Sequence, residues 1–145
     1  MDFLGTTINP REVIASHGDN AVVSRNASGI TLNNLLSAVP SANVTHGEPH
    51  YVKLHYDNPK FTGAFLYPPG GGQGWHTNSN LAGTRVYAAW SETGNSGMVF
   101  YENGRMRVEK DKPGWNVRAF VVPCWHAVWA ECWRISVGFN IAGEL

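Results

Sequence analysis

The feature that most constrains the fold is a rapid succession of short β segments from Tyr51 to the end of the chain. Turn sequences such as Asn103-Gly104 separate several of them. Short strands in quick succession are typical of a β-sandwich or barrel. Nine segments are predicted as strands: Tyr51–Tyr56, Thr62–Tyr67, Gln73–Thr77, Thr84–Trp90, Met98–Glu102, Arg105–Glu109, Asn116–Val122, Trp125–Trp129 and Trp133–Ile141.

The N-terminal part of the chain is less regular. Capping residues and helix breakers predict a short helix over residues 9–18 and a second over Thr31–Val39. Ala21–Arg25 reads as a strand. The chain has 145 residues and no linker or internal repeat, which predicts a single domain. Within it, residues 1–50 would support a β core formed by residues 51–145.

A helix competes with two strands near the C-terminus. Three tryptophans recur every four residues over Trp125–Trp133, which in a helix would stack them on one face. The segment that follows alternates strictly, however, and Pro123 blocks an upstream extension. Two strands joined by a tight corner near Ala130 are therefore favoured. Such a corner would bring His126 and Arg134 towards each other, because they are equidistant from it.

The stretch Tyr67–Asn80 carries the clearest chemical signal. Its glycines and prolines lead to the triplet His76-Thr77-Asn78. Alternation along a strand would put His76 and Asn78 on one face, within reach of one metal ion. His126 supplies a third donor. Two histidines and a third side chain that leave coordination positions open are the pattern of non-haem Fe(II) oxygenases.

Together with Tyr67, Arg134 and Ser136, these residues resemble the Fe(II)/2-oxoglutarate-dependent oxygenase family. The likeness is closest to its prolyl-hydroxylase-like branch and to the small versions encoded by tailed marine phages. That family has an H-x-D or H-x-E triplet, a distal histidine, and an arginine or lysine soon after it. A tyrosine often stands nine residues before the first histidine, as Tyr67 does before His76. The resemblance covers roughly the last eighty residues, enough for eight short strands.

The resemblance implies a mainly β, double-stranded β-helix fold of the jelly-roll, cupin-like type, with one or two short N-terminal helices. His76 would lie on the second barrel strand, His126 on the seventh and Arg134 on the eighth. Fe(II) would be the metal and 2-oxoglutarate the cosubstrate, with O2 as the oxidant. Arg134 would receive the remote carboxylate of 2-oxoglutarate, helped by the hydroxyls of Ser136 and Tyr67. The implied reaction hydroxylates an unactivated C–H bond, and no catalytic side chain is expected beyond the metal ligands.

One position departs from the family pattern, because Asn78 stands where the carboxylate ligand should be. A neutral amide oxygen would hold Fe(II) more weakly than a carboxylate. Asn78 could ligate as an amide, or deamidate to Asp, and Asn80 is an alternative ligand of the same strand parity. The remaining hypothesis is a catalytically silent, cupin-like module that binds a small anion, or a virion or other partner. The oxygenase is the preferred hypothesis.

Other side chains are candidates for the pocket around this site. Acidic residues are sparse in this region, so an incoming anion, rather than an internal carboxylate, is expected to pair with Arg134. The substrate pocket is predicted to be shallow in so short a chain, which favours a substrate presented by a macromolecule. The possible pocket residues are Trp75, Asn80, Arg85, Tyr87 and Arg118.

Composition narrows the remaining classes. Eleven basic and eleven acidic residues balance, so neither a nucleic-acid footprint nor attraction to an anionic membrane is expected. No secretory signal or membrane-spanning stretch is recognisable, which predicts the cytoplasm of a bacterium or of a phage-infected host. In that reducing compartment Cys124 and Cys132 are expected to be thiols, although a bridge across the His126 strand is conceivable.

Overall fold

The computed structural model describes residues 9, 21–24, 30–41, 51–54, 61–79 and 82–141. Within these ranges the protein has ten β-strands and one short helix, which confirms the prediction of a mainly β chain. The strands are β1 Ala21–Ser24, β2 Tyr51–Leu54, β3 Phe61–Tyr67, β4 Gly72–His76, β5 Gly83–Ser91, β6 Ser96–Glu102, β7 Arg105–Lys110, β8 Gly114–Val122, β9 Trp125–Ala130 and β10 Arg134–Ile141, and the helix is α1 Leu32–Leu36.

The strands form two antiparallel sheets. One has the order β1-β2-β3-β10-β5-β8, and the other has the order β4-β9-β6-β7. From β3 onward the chain crosses repeatedly from one sheet to the other, so that most strands adjacent in a sheet are distant in sequence. The exception is the hairpin formed by β6 and β7. No pairing between the described strands joins the sheets into a closed barrel. The arrangement is consistent with a β-sandwich.

Alternation along the strands divides their side chains between an inner and an outer face. Tyr67 of the six-stranded sheet packs with Met98 and Phe100 of the four-stranded sheet, so this cluster lies between the sheets. Ile135 packs instead with Leu66 in a separate buried cluster on the other face of the six-stranded sheet. Neighbouring residues of one strand therefore serve different cores, as the two-residue period of a strand requires.

The helix α1 covers the outer face of the four-stranded sheet. The Oγ1 atom of Thr31 caps it by accepting a hydrogen bond from the backbone nitrogen of Asn34 at 3.1 Å. Leu35 is fully buried and packs with Trp75. The helix lies within the predicted range Thr31–Val39. The helix predicted over residues 9–18 lies outside the described residues, apart from Asn9.

A β-bulge interrupts the pairing of β4 with β9. Gln73 lies opposite Val128, whereas His76 lies opposite His126, so three steps along β4 match two steps along β9. One extra residue is accommodated in β4. Gln73 and His76 consequently line the same cavity, although their odd spacing would place them on opposite faces of a regular strand.

The C-terminal strands settle the choice between a helix and a corner. The strand β9 ends at Ala130 and β10 begins at Arg134, which confirms two strands and a tight connection. Cys124 and Cys132 are both free thiols. No helix in the described ranges has the length and apolarity that a membrane span requires.

Candidate functional site

A small cavity, partly open to solvent, lies between the two sheets. Eight of the residues singled out from the sequence line it, and they come from strands of both sheets and from the turn after β4. These residues are Tyr67, His76, Asn78, Arg85, Tyr87, His126, Arg134 and Ser136. The structure therefore brings together the two histidines and the arginine on which the sequence prediction depended.

His76 and His126 lie side by side in this cavity. They are paired across β4 and β9, and their ring centroids are 4.2 Å apart with the rings tilted by 57°. His126 is almost fully buried. Two imidazoles at this separation can direct one nitrogen each towards a common ion.

Both rings are oriented by the backbone. The Nδ1 atom of His76 donates to the carbonyl oxygen of Gly74 at 2.7 Å, and the Nδ1 atom of His126 donates to that of Cys124 at 2.8 Å. A carbonyl cannot donate, so each Nδ1 must carry the proton and each Nε2 keeps its lone pair. This is the arrangement by which proteins fix metal-ligating histidines.

Burial keeps both rings neutral. It is the largest cause that lowers the pKa of His126 to about 3, and the neighbouring His76 lowers it further. Burial likewise lowers the pKa of His76 below 6.5. Arg85, which lines the cavity, adds to both shifts. A neutral imidazole with an available Nε2 is the form that binds a metal.

Asn78 reaches the cavity in a way that differs from the prediction. The strand β4 ends at His76, and Asn78 lies beyond it in a left-handed conformation with φ of 57°. Strand alternation is therefore the wrong reason for its position, and a turn directs its side chain to the cavity instead. Asparagine is among the residues that tolerate this conformation best.

The amide oxygen of Asn78 adds a third donor to the two imidazoles. This Oδ1 atom is buried and has no hydrogen-bond partner within the described ranges, which is costly for a polar atom. A cation held by the two Nε2 atoms would satisfy it. We refer to His76, Asn78 and His126 as the metal end of the cavity. Their donor set fits a divalent first-row metal, with a neutral oxygen in place of a carboxylate.

The opposite set of polar residues, which we call the anion end, consists of Tyr67, Gln73, Arg134 and Ser136. Arg134 is paired with Tyr67 across β10 and β3, and its guanidinium carbon lies 5.8 Å from the centre of the tyrosine ring. Ser136 follows on the same face of β10, and both residues line the cavity. Gln73 Nε2 donates to the Tyr67 hydroxyl at 2.8 Å.

The prediction that Arg134 has no internal acidic partner is wrong. Its Nε donates to Oδ2 of Asp111 at 2.8 Å, and both side chains are buried. Asp111 follows β7 and lies 23 positions away in sequence, so strand alternation gave no sign of the contact. The pairing uses only Nε, and the terminal nitrogens of Arg134 hydrogen-bond to no other described residue. Because Arg134 lines the cavity, these nitrogens remain available to an anion there.

Asp111 is itself fixed by its neighbours. Its Oδ2 accepts a hydrogen bond from Ser96 Oγ at 2.6 Å, and its Oδ1 lies 2.6 Å from Nη1 of Arg118. Burial opposes ionisation of this carboxyl. Arg134, with Ser96 and Arg118, outweighs burial and lowers the pKa of Asp111 below its usual 3.8. The buried carboxylate therefore stays charged and holds Arg134 in place.

Two of the possible pocket residues lie elsewhere. Trp75 is buried in the outer cluster beneath α1, where its Nε1 donates to the carbonyl oxygen of Leu35 at 3.1 Å. Arg118 lies behind Arg134, paired with Asp111 and Glu109, and does not line the cavity. Neither of these possible pocket residues therefore lines the cavity, and Trp75 fills the buried core instead.

Arg85 and Tyr87 line the cavity as predicted. Asn80 lies outside the described residues. Sequence reasoning missed Gln73 and Asp111. Gln73 lies in the same glycine-rich stretch as the histidine, three residues before it, which is a weak signal. Asp111 precedes Lys112-Pro113-Gly114 and has the sequence context of a turn residue.

Acidic and thiol side chains of the described residues do not complete a metal-binding group here. The described residues contain no group of three or more histidine, cysteine, aspartate or glutamate side chains that could hold a metal ion. Within the part of the chain that the structure describes, the amide of Asn78 is the third donor beside the two imidazoles. The chain matches no protein-family model, and a search of curated proteins returned no match.

Proposed function

We propose that this protein is an Fe(II)- and 2-oxoglutarate-dependent oxygenase with a double-stranded β-helix fold. The observation that carries the proposal is the cavity itself. Two histidines with available Nε2 atoms lie in the same cavity as a buried arginine whose terminal nitrogens hydrogen-bond to no other residue that the structure describes. A metal and the dicarboxylate that chelates it require these two features in one place.

Strand order supports the proposed fold. The strands β3 to β10 include two sets of four, in the orders β3-β10-β5-β8 and β4-β9-β6-β7. A jelly roll likewise divides eight strands between two sheets. Counted from β3, His76 ends the second strand, His126 lies on the seventh and Arg134 begins the eighth. These are the positions that the resemblance implies.

The side chains have separate tasks in the proposed reaction. His76 and His126 would hold iron through Nε2, while their Nδ1 protons remain on backbone carbonyls. Asn78 Oδ1 would add a neutral ligand. Iron, when bound, would supply the activation of O2, which no side chain can provide. In the overall reaction one oxygen atom enters the C–H bond of the substrate, and the other enters succinate as 2-oxoglutarate loses CO2.

The anion end would orient the cosubstrate. Arg134 would bind the remote carboxylate through its terminal nitrogens, and Tyr67 and Ser136 would each donate a hydroxyl hydrogen bond. Phe65, which also lines the cavity, supplies apolar surface between these polar groups. We further propose that the oxidised substrate is presented by a macromolecule and that the protein acts in the cytoplasm, where thiols stay reduced. Robust turnover of a free amino acid would contradict the first of these proposals.

The test is anaerobic addition of Fe(II) followed by 2-oxoglutarate. The expected result is a charge-transfer band from the bidentate chelate, which decays when O2 is admitted and leaves succinate and CO2. The His126→Ala variant is the control and should give neither the band nor succinate. A folded wild-type protein that gives no band under these conditions would contradict the proposal.

A second function is favoured by two specific observations. Asn78 removes a negative charge from the metal end, and Asp111 already neutralises part of the anion end. Both would suit a catalytically silent, cupin-like module that binds a small anion or a virion or other partner. Such a module would bind a dicarboxylate equally well with and without metal, and it would form no succinate.

A further inference from the structure

The contact between Gln73 and Tyr67 determines which way the Tyr67 hydroxyl points. The Nε2 atom of Gln73 lies 2.8 Å from that hydroxyl. An amide nitrogen can only donate, so it occupies a lone pair of the hydroxyl oxygen. The proton of the hydroxyl must then point elsewhere.

The cavity is where this proton can go. Tyr67 is almost fully buried, and its hydroxyl makes no second hydrogen bond to any of the described residues. Burial raises the pKa of Tyr67 far above its usual value of 10.0, so the hydroxyl keeps its proton. Both Tyr67 and Gln73 line the cavity. A ligand there would therefore meet an O–H donor rather than an oxygen acceptor.

Arg134 presents the same polarity from the neighbouring strand. Its Nε is taken by Asp111, and its terminal nitrogens are donors only. Two donors that face one region select a group with several acceptor sites and no proton to donate, as an ionised carboxylate has. Of these two groups, only the tyrosine hydroxyl could change from donor to acceptor, because a guanidinium cannot accept a hydrogen bond.

We propose that Gln73 is a positioning residue that fixes the Tyr67 hydroxyl as a donor to the remote carboxylate of the oxoacid. The inference rests on the proposed function for the identity of that oxoacid. Gln73 would act through Tyr67 and would contribute little without it. No sequence motif points to this role, since it depends on the bulge that turns both Gln73 and His76 into the cavity.

The sharpest variant is Gln73→Glu, which keeps the size of the side chain and reverses its hydrogen bonding. A carboxylate would accept the Tyr67 proton and turn it away from the ligand. The dissociation constant for 2-oxoglutarate should rise by about tenfold or more in the Mn(II)-loaded protein, measured by calorimetry. The matched control is Gln73→Met. Its side chain has no carboxylate to accept the Tyr67 proton, so the dissociation constant should change by no more than about threefold.

A double-mutant cycle separates positioning from simple charge repulsion. In a Tyr67→Phe background, Gln73→Glu should weaken binding by no more than about threefold, because there is no proton left to redirect. An undiminished effect of Gln73→Glu in that background would overturn the proposal. Binding of 2-oxobutyrate, which lacks the remote carboxylate, should be unchanged by Gln73→Glu, and equal losses for both ligands would indicate general disruption and would also overturn it.

The same cycle with glutarate and metal-free protein keeps this inference distinct from the oxygenase proposal. If the substitutions at Gln73 and Tyr67 have non-additive effects on glutarate affinity but no succinate forms from 2-oxoglutarate, the positioning role stands and the oxygenase proposal is rejected. Chelate formation and turnover without coupling would retain the enzyme and reject the positioning role. A wild-type protein that binds neither dicarboxylate would reject both.

Discussion

The metal end and the anion end of the cavity are held by different means. His76 and His126 are oriented by carbonyl groups only two positions away in sequence. Arg134 is oriented by Asp111, 23 positions away, which depends in turn on Ser96, 15 positions from it. The first arrangement is local and neutral, whereas the second is long-range and charged. A local, backbone-held site tolerates changes around it, but a buried ionic network fails when one member is removed.

The largest expected effect is on the network. Asp111→Asn would leave Arg134 and Arg118 without their shared carboxylate, at a cost of about 3–5 kcal/mol in the free energy of unfolding. Denaturation in urea at neutral pH measures this cost. The matched control is Glu109→Gln, which removes a half-exposed partner of Arg118 and should cost less than about 1 kcal/mol. Equal costs would contradict the claim that the buried carboxylate of Asp111 holds the anion end together.

The stability difference between the wild type and Asp111→Asn should also depend on pH. The pKa of Asp111 is lower in the folded state than its usual 3.8, so its contribution to stability is fully present above about pH 4. That contribution falls as the pH drops through the folded pKa. The stability difference between the wild type and Asp111→Asn should therefore narrow below about pH 4, and a constant difference would exclude the ion pair as its cause.

The next largest effect concerns the metal. His126→Ala removes a ligand and should weaken Fe(II) or Mn(II) binding by about a hundredfold or more, because loss of an outer partner alone costs 10–100-fold. Anaerobic calorimetry measures it. Cys124→Ala is the control, since it keeps the backbone carbonyl that accepts from His126 Nδ1 at 2.8 Å and removes only the longer thiol contact at 3.7 Å. Unchanged metal affinity in His126→Ala would contradict the assignment of a metal site to this end of the cavity.

A smaller gain is expected from Asn78→Asp. The added charge should tighten Fe(II) binding by about tenfold through Coulomb attraction. Aspartate also tolerates the left-handed backbone at this position, so little strain is expected. The Fe(II) affinities of wild type, Asn78→Asp and Asn78→Ser are measured together, and Asn78→Ser serves as the uncharged control. If Asn78→Asp binds no more tightly than wild type, the side chain at this position is not a ligand.

The smallest effect is predicted for Ser136→Ala. Loss of one hydroxyl donor should raise the dissociation constant of 2-oxoglutarate by about threefold to tenfold and leave that of 2-oxobutyrate unchanged. The two ligands can be titrated into the same Mn(II)-loaded sample. A larger loss, or one shared by both ligands, would place Ser136 at the metal end instead.

The contrast between the ends also explains what could be predicted from the sequence. The strands from Tyr51 onward were predictable because alternation and turn residues are local signals. His76, His126 and Arg134 carried a recognisable spacing. Asp111 did not, since its contacts span the fold, and sequence alone could not tell which face of β4 would bury Trp75.

The position of Asn78 illustrates a different limit. Its spacing from His76 correctly suggested a shared site, but the structure achieves this with a turn rather than with a strand. Two backbone conformations can bring residues two apart to one place, and the sequence did not distinguish them. Gln73 carried no comparable signal, because residues three apart lie on opposite faces of a regular strand.

The bulge in β4 makes residue count as important as residue identity in this strand. Removing Gly74 would restore a regular ladder opposite β9, and either the glutamine or the imidazole would then rotate to the far side of the sheet. The one extra residue in β4 thus allows a residue of the metal end and a residue of the anion end to face the same cavity. A related chain with one residue fewer in this strand would lose the shared cavity face of Gln73 and His76, even if every polar side chain were retained.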